Sequence, residues 1–166
     1  MVINTAIDGL DRTDLRILCE LQQDGRLSNV ALSKRINLSP TPCLERVKRL
    51  EKEGYIKGYH AELNADKLGV GLLVFVQVSL DKTTPDIFSR FRSALTHLDQ
   101  VQECHMVAGG FDYLLKLRFG NMTSYREFLG KELAVLPGIM QTHTYFVMEE
   151  IKHSSAIPIP TLSAVK

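Results

Sequence analysis

The 166-residue chain has no tryptophan, and no aromatic residue of any kind before Tyr55; all seven phenylalanines and all five tyrosines lie from there onward. A first third without rings packs its core with Leu, Ile and Val, and such a break marks two domains rather than one. Cysteine is scarce. Cys19, Cys43 and Cys104 make an odd count with no CxxC pair, so neither a disulfide framework nor a zinc module is indicated. No apolar run approaches about 18 residues, so no membrane span is expected. The opening MVINTAIDGLDRTD lacks the basic and apolar regions of a secretory signal, and a cytoplasmic location is expected. Catalytic signatures are missing as well: there is no P-loop, HExxH, GxSxG or dinucleotide fingerprint. Cys104 and His105 are neighbours on a predicted strand, so they point to opposite faces and cannot pair as nucleophile and base. The sequence thus offers no catalytic residue, metal-ligand set or cofactor site, and an enzyme is not expected.

A net charge of +1 argues by itself against a nucleic-acid partner. The distribution argues the other way. Residues 1–25 are net acidic and 59–166 nearly balanced, whereas 26–58 hold Arg26, Lys34, Arg35, Arg46, Lys48, Arg49, Lys52 and Lys57 against only Glu45, Glu51 and Glu53.

That basic segment reads as helices. Asp11 caps a first helix with Asp14 at the capping-box position, Leu15, Leu18 and Leu21 follow at helical spacing, and Gly25 ends it. Ser28 caps a second helix over 29–36. After the short Asn37–Leu38 turn, Ser39 caps a third over 40–53, with Pro40 and Pro42 where backbone N–H groups lack intrahelical partners. In this third helix Cys43, Leu44, Val47 and Leu50 are taken as one face, and Pro42, Glu45, Arg46, Arg49 and Lys52 as the other. Two helices joined by so short a turn form a helix-turn-helix, and the third helix has the shape of one that enters a DNA major groove. Residues 55–63 alternate like a strand or a short wing.

Further on, the pattern predicts a strand over 72–80, a helix over 85–98, strands over 101–108 and 112–119, a helix over 124–136 and a strand over 142–151. The order β-α-β-β-α-β implies a ferredoxin-like sandwich. The expected class is α+β: a helix-turn-helix (winged-helix-like) domain over 1–63, a linker over 64–71, a ferredoxin-like domain over 72–153, and a flexible tail over 154–166. The sheet face away from the helices still carries apolar side chains, for which a second copy of the chain is the simplest cover.

The helix-turn-helix, the run LSPTPCLERVKRLEKEGYIKGY and the run GFDYLLK resemble the Lrp/AsnC (feast/famine) family of bacterial and archaeal regulators across roughly residues 10–152. The resemblance implies a sequence-specific DNA-binding transcription regulator. It also implies a domain that dimerises sheet to sheet, assembles further (often to octamers) and senses an amino acid, of leucine type or related. An architectural, nucleoid-associated DNA-binding protein of low sequence specificity is the alternative.

On this reading double-stranded DNA is met first by helix starts, Ser28 and Asn29 for the second helix and Ser39, Thr41 and Pro42 for the third. Arg46 and Arg49 reach base edges or phosphates, and Lys34, Arg35 and Lys48 reach phosphates. The candidate effector loop is Gly109, Gly110, Phe111 and Asp112. Two glycines let N–H groups turn toward a ligand carboxylate, and Asp112 accepts its ammonium group; the same residues also suit a plain hairpin turn. Met106, Met122, Tyr145, Phe146 and Val147 line the pocket, the subunit contact or the core. Many of the family's members carry Gly-Asp where this chain has Gly109-Gly110.

Overall fold

The computed structural model describes residues 9–159. The remote ends of the expected first domain and tail, residues 1–8 and 160–166, lie outside the described residues. The chain divides into two compact units. One is the chain up to Glu62 together with the segment from His153, and the other is Leu63–Lys152.

The first unit contains α1 (Arg12–Gln23), α2 (Asn29–Ile36) and α3 (Pro40–Lys52). Asp11 and Asp14 form a reciprocal capping box at the start of α1. The Ser28 side chain accepts from the Ala31 N–H to cap α2, which ends at Asn37 in the left-handed conformation (φ 59°). That residue reverses the chain into α3. Ser39 is the N-cap of α3 but makes no side-chain capping bond. The proline at the third helical position explains this, because the N–H that a capping serine commonly accepts is missing there. Ile17, Leu32, Ile36, Cys43 and Leu50 form the buried centre of the unit, without an aromatic ring. The wing expected at 55–63 carries no strand.

The second unit contains β1 (Leu72–Leu80), α4 (Pro85–Leu95), β2 (Val101–Met106), β3 (Tyr113–Phe119), α5 (Met122–Phe128) and β4 (Ile139–Phe146). The four strands form one antiparallel sheet ordered β2-β3-β1-β4. Alternation sorts its side chains. Val74, Val76, Val78 and Leu80 of β1 and Tyr113, Leu115, Leu117 and Phe119 of β3 are buried, packed with Phe91 and Leu95 of α4 and Tyr125 and Phe128 of α5.

Element ends differ from the pattern-based reading. The helix expected over 124–136 starts two residues earlier, capped by Asn121, and after Phe128 widens into a π turn over Leu129–Leu133. β4 starts at Ile139, after Gly138 at φ +79°, and stops at Phe146 rather than 151. One further backbone bond runs past its end, from the Val147 N–H to the Leu73 carbonyl.

Candidate functional site

The second half of α3 is held against the start of α1 by charge. Asp14 is fully buried. Its carboxylate accepts the Asp11 N–H at 3.0 Å and meets Arg46 at 2.9 Å and Arg49 at 2.5 Å. Arg46 also meets Asp11 at 2.6 Å. Two guanidinium groups and a backbone donor thus compensate a carboxylate withdrawn from water, the condition under which such burial is tolerated. Burial by itself pulls Asp11 upward, but the Asp14 N–H and Arg46 outweigh it and hold its carboxyl below the usual range. The same contacts raise Arg46 and Arg49, which stay charged.

This corrects the facing of α3. Arg46 and Arg49 do not project from its outer side but turn toward α1, while Leu44, expected on the core side, is exposed. The outer surface is made by Thr41, Leu44, Glu45, Lys48 and Lys52. Carboxylates at the α1 N-terminus draw the arginines inward. The capping-box spacing of Asp11 and Asp14 was the available signal for that anchor, but it carries no information on which helix lies beside it.

The other candidates for DNA contact separate into two groups. The Asn29 side chain donates to the Pro40 carbonyl at 2.7 Å and so ties the start of α2 to the start of α3. Ser28, Ser39, Thr41 and Pro42 are exposed around this junction. Lys34 and Arg35 lie in the last turn of α2 instead. Both are exposed, and Arg35 pairs with Glu20 at 2.9 Å. Lys48 is exposed on the outer face of α3.

The effector candidates also fall into two groups. Met106, Gly109, Gly110, Phe111 and Asp112 lie where β2 turns into β3, beside the Val78–Leu80 end of β1. The Asp112 carboxylate accepts the Leu80 N–H at 2.7 Å, so one of its oxygens already holds the end of β1. Gly109 and Gly110 have ordinary negative φ, and a Cβ on either meets nothing within 4 Å. The loop therefore does not require glycine. Met122 and Phe146 line a groove of about 290 Å³ with Thr123, Tyr125, Arg126 and Leu129. Phe146 pairs with Val74, at the other end of β1. At about 3.3 Å per residue, the four positions from Val74 to Val78 place roughly 13 Å between the two groups within one chain. Tyr145 is exposed on the sheet face away from the helices and donates to Gln77 at 3.3 Å. Val147 is half-buried just beyond β4.

Cys104 packs toward the core, where burial pushes its thiol up, whereas His105 pairs with Glu103 at 3.1 Å on the opposite face. Among the described residues no group of His, Cys, Asp or Glu is placed to hold a metal ion, and no helix is long and apolar enough to cross a membrane.

Comparison with known proteins matches both units. Residues 10–57 fit the model of a winged helix-turn-helix DNA-binding domain, and residues 73–157 fit that of the Lrp/AsnC ligand binding domain. The leucine-responsive regulatory protein of Klebsiella pneumoniae is 57% identical over 152 residues, which cover 92% of this chain and 93% of that protein. Its counterpart from Escherichia coli K12 is 56% identical over the same length. Among solved structures, a transcriptional regulator from Neisseria meningitidis in complex with L-Met superposes with a TM-score of 0.87 at 37% identity, covering 91% of this chain and 97% of that one. An AsnC family regulator from Agrobacterium tumefaciens reaches 0.85 at 30% identity, covering 90% and 97%.

Proposed function

The chain belongs to the Lrp/AsnC family of DNA-binding transcription regulators, and from that premise we propose that it reads a specific DNA sequence and responds to a free amino acid of leucine type or a related one. The family is not enzymatic, so chemistry is not asked of the site. The observation that carries the DNA reading is the junction at which Asn29 ties the start of α2 to the start of α3, leaving Ser28, Ser39, Thr41 and Pro42 exposed together.

Thr41 and Pro42 face the major groove, Ser28, Asn29 and Ser39 meet phosphates at the helix starts, Lys48 reaches a phosphate from the outer face of α3, and Lys34 and Arg35 flank them. Arg46 and Arg49 are assigned to holding α3 at its angle, not to reading bases. A homodimer, assembling toward an octamer in the cytoplasm and on the nucleoid, presents paired α3 helices to a pseudo-palindrome. The test is fluorescence anisotropy on promoter DNA with random-sequence competitor over a salt series. Lys48→Ala is expected to reduce the magnitude of the log K against log salt slope by about 1 without changing sequence choice. A specificity ratio near one replaces this reading with that of an architectural DNA packer.

For the effector, the relatives' leucine-responsive name and the L-Met bound to the Neisseria protein support an apolar amino acid. The loop over 109–112 supplies N–H groups for its carboxylate, and the second oxygen of Asp112 takes its ammonium group. A pocket that also uses Met122 and Phe146 needs a second copy of the chain, since the two groups lie at opposite ends of β1 in one copy. Calorimetric titration with a panel of amino acids identifies the ligand. Asp112→Asn keeps an acceptor for the Leu80 N–H and is expected to weaken binding about tenfold, the equivalent of ~1.4 kcal/mol; unchanged affinity removes Asp112 from the site.

A further inference from the structure

After the sheet unit ends at Lys152, the chain returns to the helix-turn-helix unit. His153 lies 4.0 Å from Glu62, beside the point where the chain first left that unit. Four residues on, a single side chain catches the backbone at both of its polar groups. Gln22 near the end of α1 donates to the Ile157 carbonyl at 2.9 Å and accepts the Ile157 N–H at 3.0 Å. A primary amide used in this way pairs with an extended segment as a neighbouring strand does, so it recognises backbone rather than sequence.

The contact is strong in direction but thin in packing. The segment, α1 and residues 55–59 together enclose an open apolar cavity of about 520 Å³, with Leu15, Leu18 and Leu21 on one side and Ile157, Pro158 and Ile159 on another. A segment that borders an open cleft is held by few contacts, and such a segment opens at low cost. Two tyrosines bracket α1 from the third side. The Tyr59 ring lies 3.4 Å from where a Cβ on Gly25 would sit, and the Tyr55 hydroxyl lies 3.7 Å from that position on Gly9.

We propose that residues 153–159 are a detachable strap, docked by Gln22 along α1 of the same chain, and that its docking holds the DNA-contacting helix in place. The path is short and physical. The strap covers the apolar side of α1, and the first turn of α1 carries Asp11 and Asp14, which fix Arg46 and Arg49 of α3. Loosening α1 frees the angle at which α3 meets DNA. Gln22 is thus a positioning residue that touches no DNA.

The experiment uses the full chain with Gln22→Ala, with Ile157→Asp, and with Gln23→Ala as a neighbouring control. Amide hydrogen exchange along α1 and affinity for promoter DNA at fixed salt are measured for each. Both strap variants are expected to speed exchange of the α1 amides about tenfold and to weaken DNA binding about three- to tenfold, while the control changes neither. Unaltered exchange overturns the docking, and faster exchange with unaltered DNA affinity overturns its role in binding. A photo-crosslinker at position 157, in oligomers mixed from light and isotope-labelled chains, separates capture within one chain from capture by another. A crosslink between chains overturns the assignment to the same chain. The DNA arm rests on the DNA-binding reading of the preceding section; the exchange and crosslinking arms do not, so their failures are distinguishable.

Discussion

Asp14 has no exposed surface, yet two arginines and a backbone N–H converge on it. Removing its charge leaves Arg46 and Arg49 without their shared anion while keeping the volume. Asp14→Asn is therefore expected to cost about 2 kcal/mol, less than a fully buried pair loses, because the guanidinium groups are partly exposed. Urea unfolding followed by circular dichroism measures it. Asp11 adds a pH dependence of defined sign. Its carboxyl is held below the usual carboxylate range, so its contribution is fully present above about pH 4 and is lost as pH falls through the lower, folded value. A melting temperature that does not drop on moving from pH 6 to pH 3 argues against this contact. The sequence shows why the facing of α3 was only half legible. At 100° per residue from Cys43, Leu50 and Val47 lie within about 40° and Arg46 about 60° away, whereas Leu44 lies about 100° away. Chemistry placed Leu44 inside and Arg46 outside; geometry, with acidic residues waiting on α1, did the reverse.

The turn between α2 and α3 depends on a single left-handed residue, Asn37. Asn37→Gly suits that conformation and is expected to be near neutral. Asn37→Val forces a β-branched side chain into it, and a loss of about 1–2 kcal/mol is expected in thermal or urea unfolding. Elements of this kind are readable in advance, because capping residues, glycines and a two-residue turn are local signals. The three helices of the first unit and the order of helices and strands in the second follow from such patterns. What the pattern misses is set by partners. β4 begins at Ile139, opposite Leu80 at the end of β1, and residues 55–63 carry no strand although they alternate. The split of the effector candidates is of the same kind: loop composition shows what a segment can bind, but only the sheet register shows that Gly109 and Phe146 stand at opposite ends of β1.

At the scale of the whole molecule, the sheet face away from the helices is mixed in character. Phe75 and Leu114 form an apolar centre, framed by Tyr145 with Gln77 and by Lys116, Glu103 and His105 in contact. The Lys116 ammonium, with His105 second, holds the Glu103 carboxyl below its usual range. If this face meets a second copy, as proposed, Leu114→Lys places a charge at its centre and is expected to shift sedimentation velocity toward smaller species; an unchanged profile moves the subunit contact elsewhere. The return of the chain to its first unit has a different consequence, one of timing. Glu62 is made about 90 residues before His153, which at about 5–20 residues per second is roughly 5–20 s of synthesis. Throughout that interval the apolar side of α1 waits for a strap that has not been made. Nascent chains stalled short of residue 153 are therefore expected to bind apolar dyes and chaperones more strongly than released ones, with a late segment covering a helix made long before it.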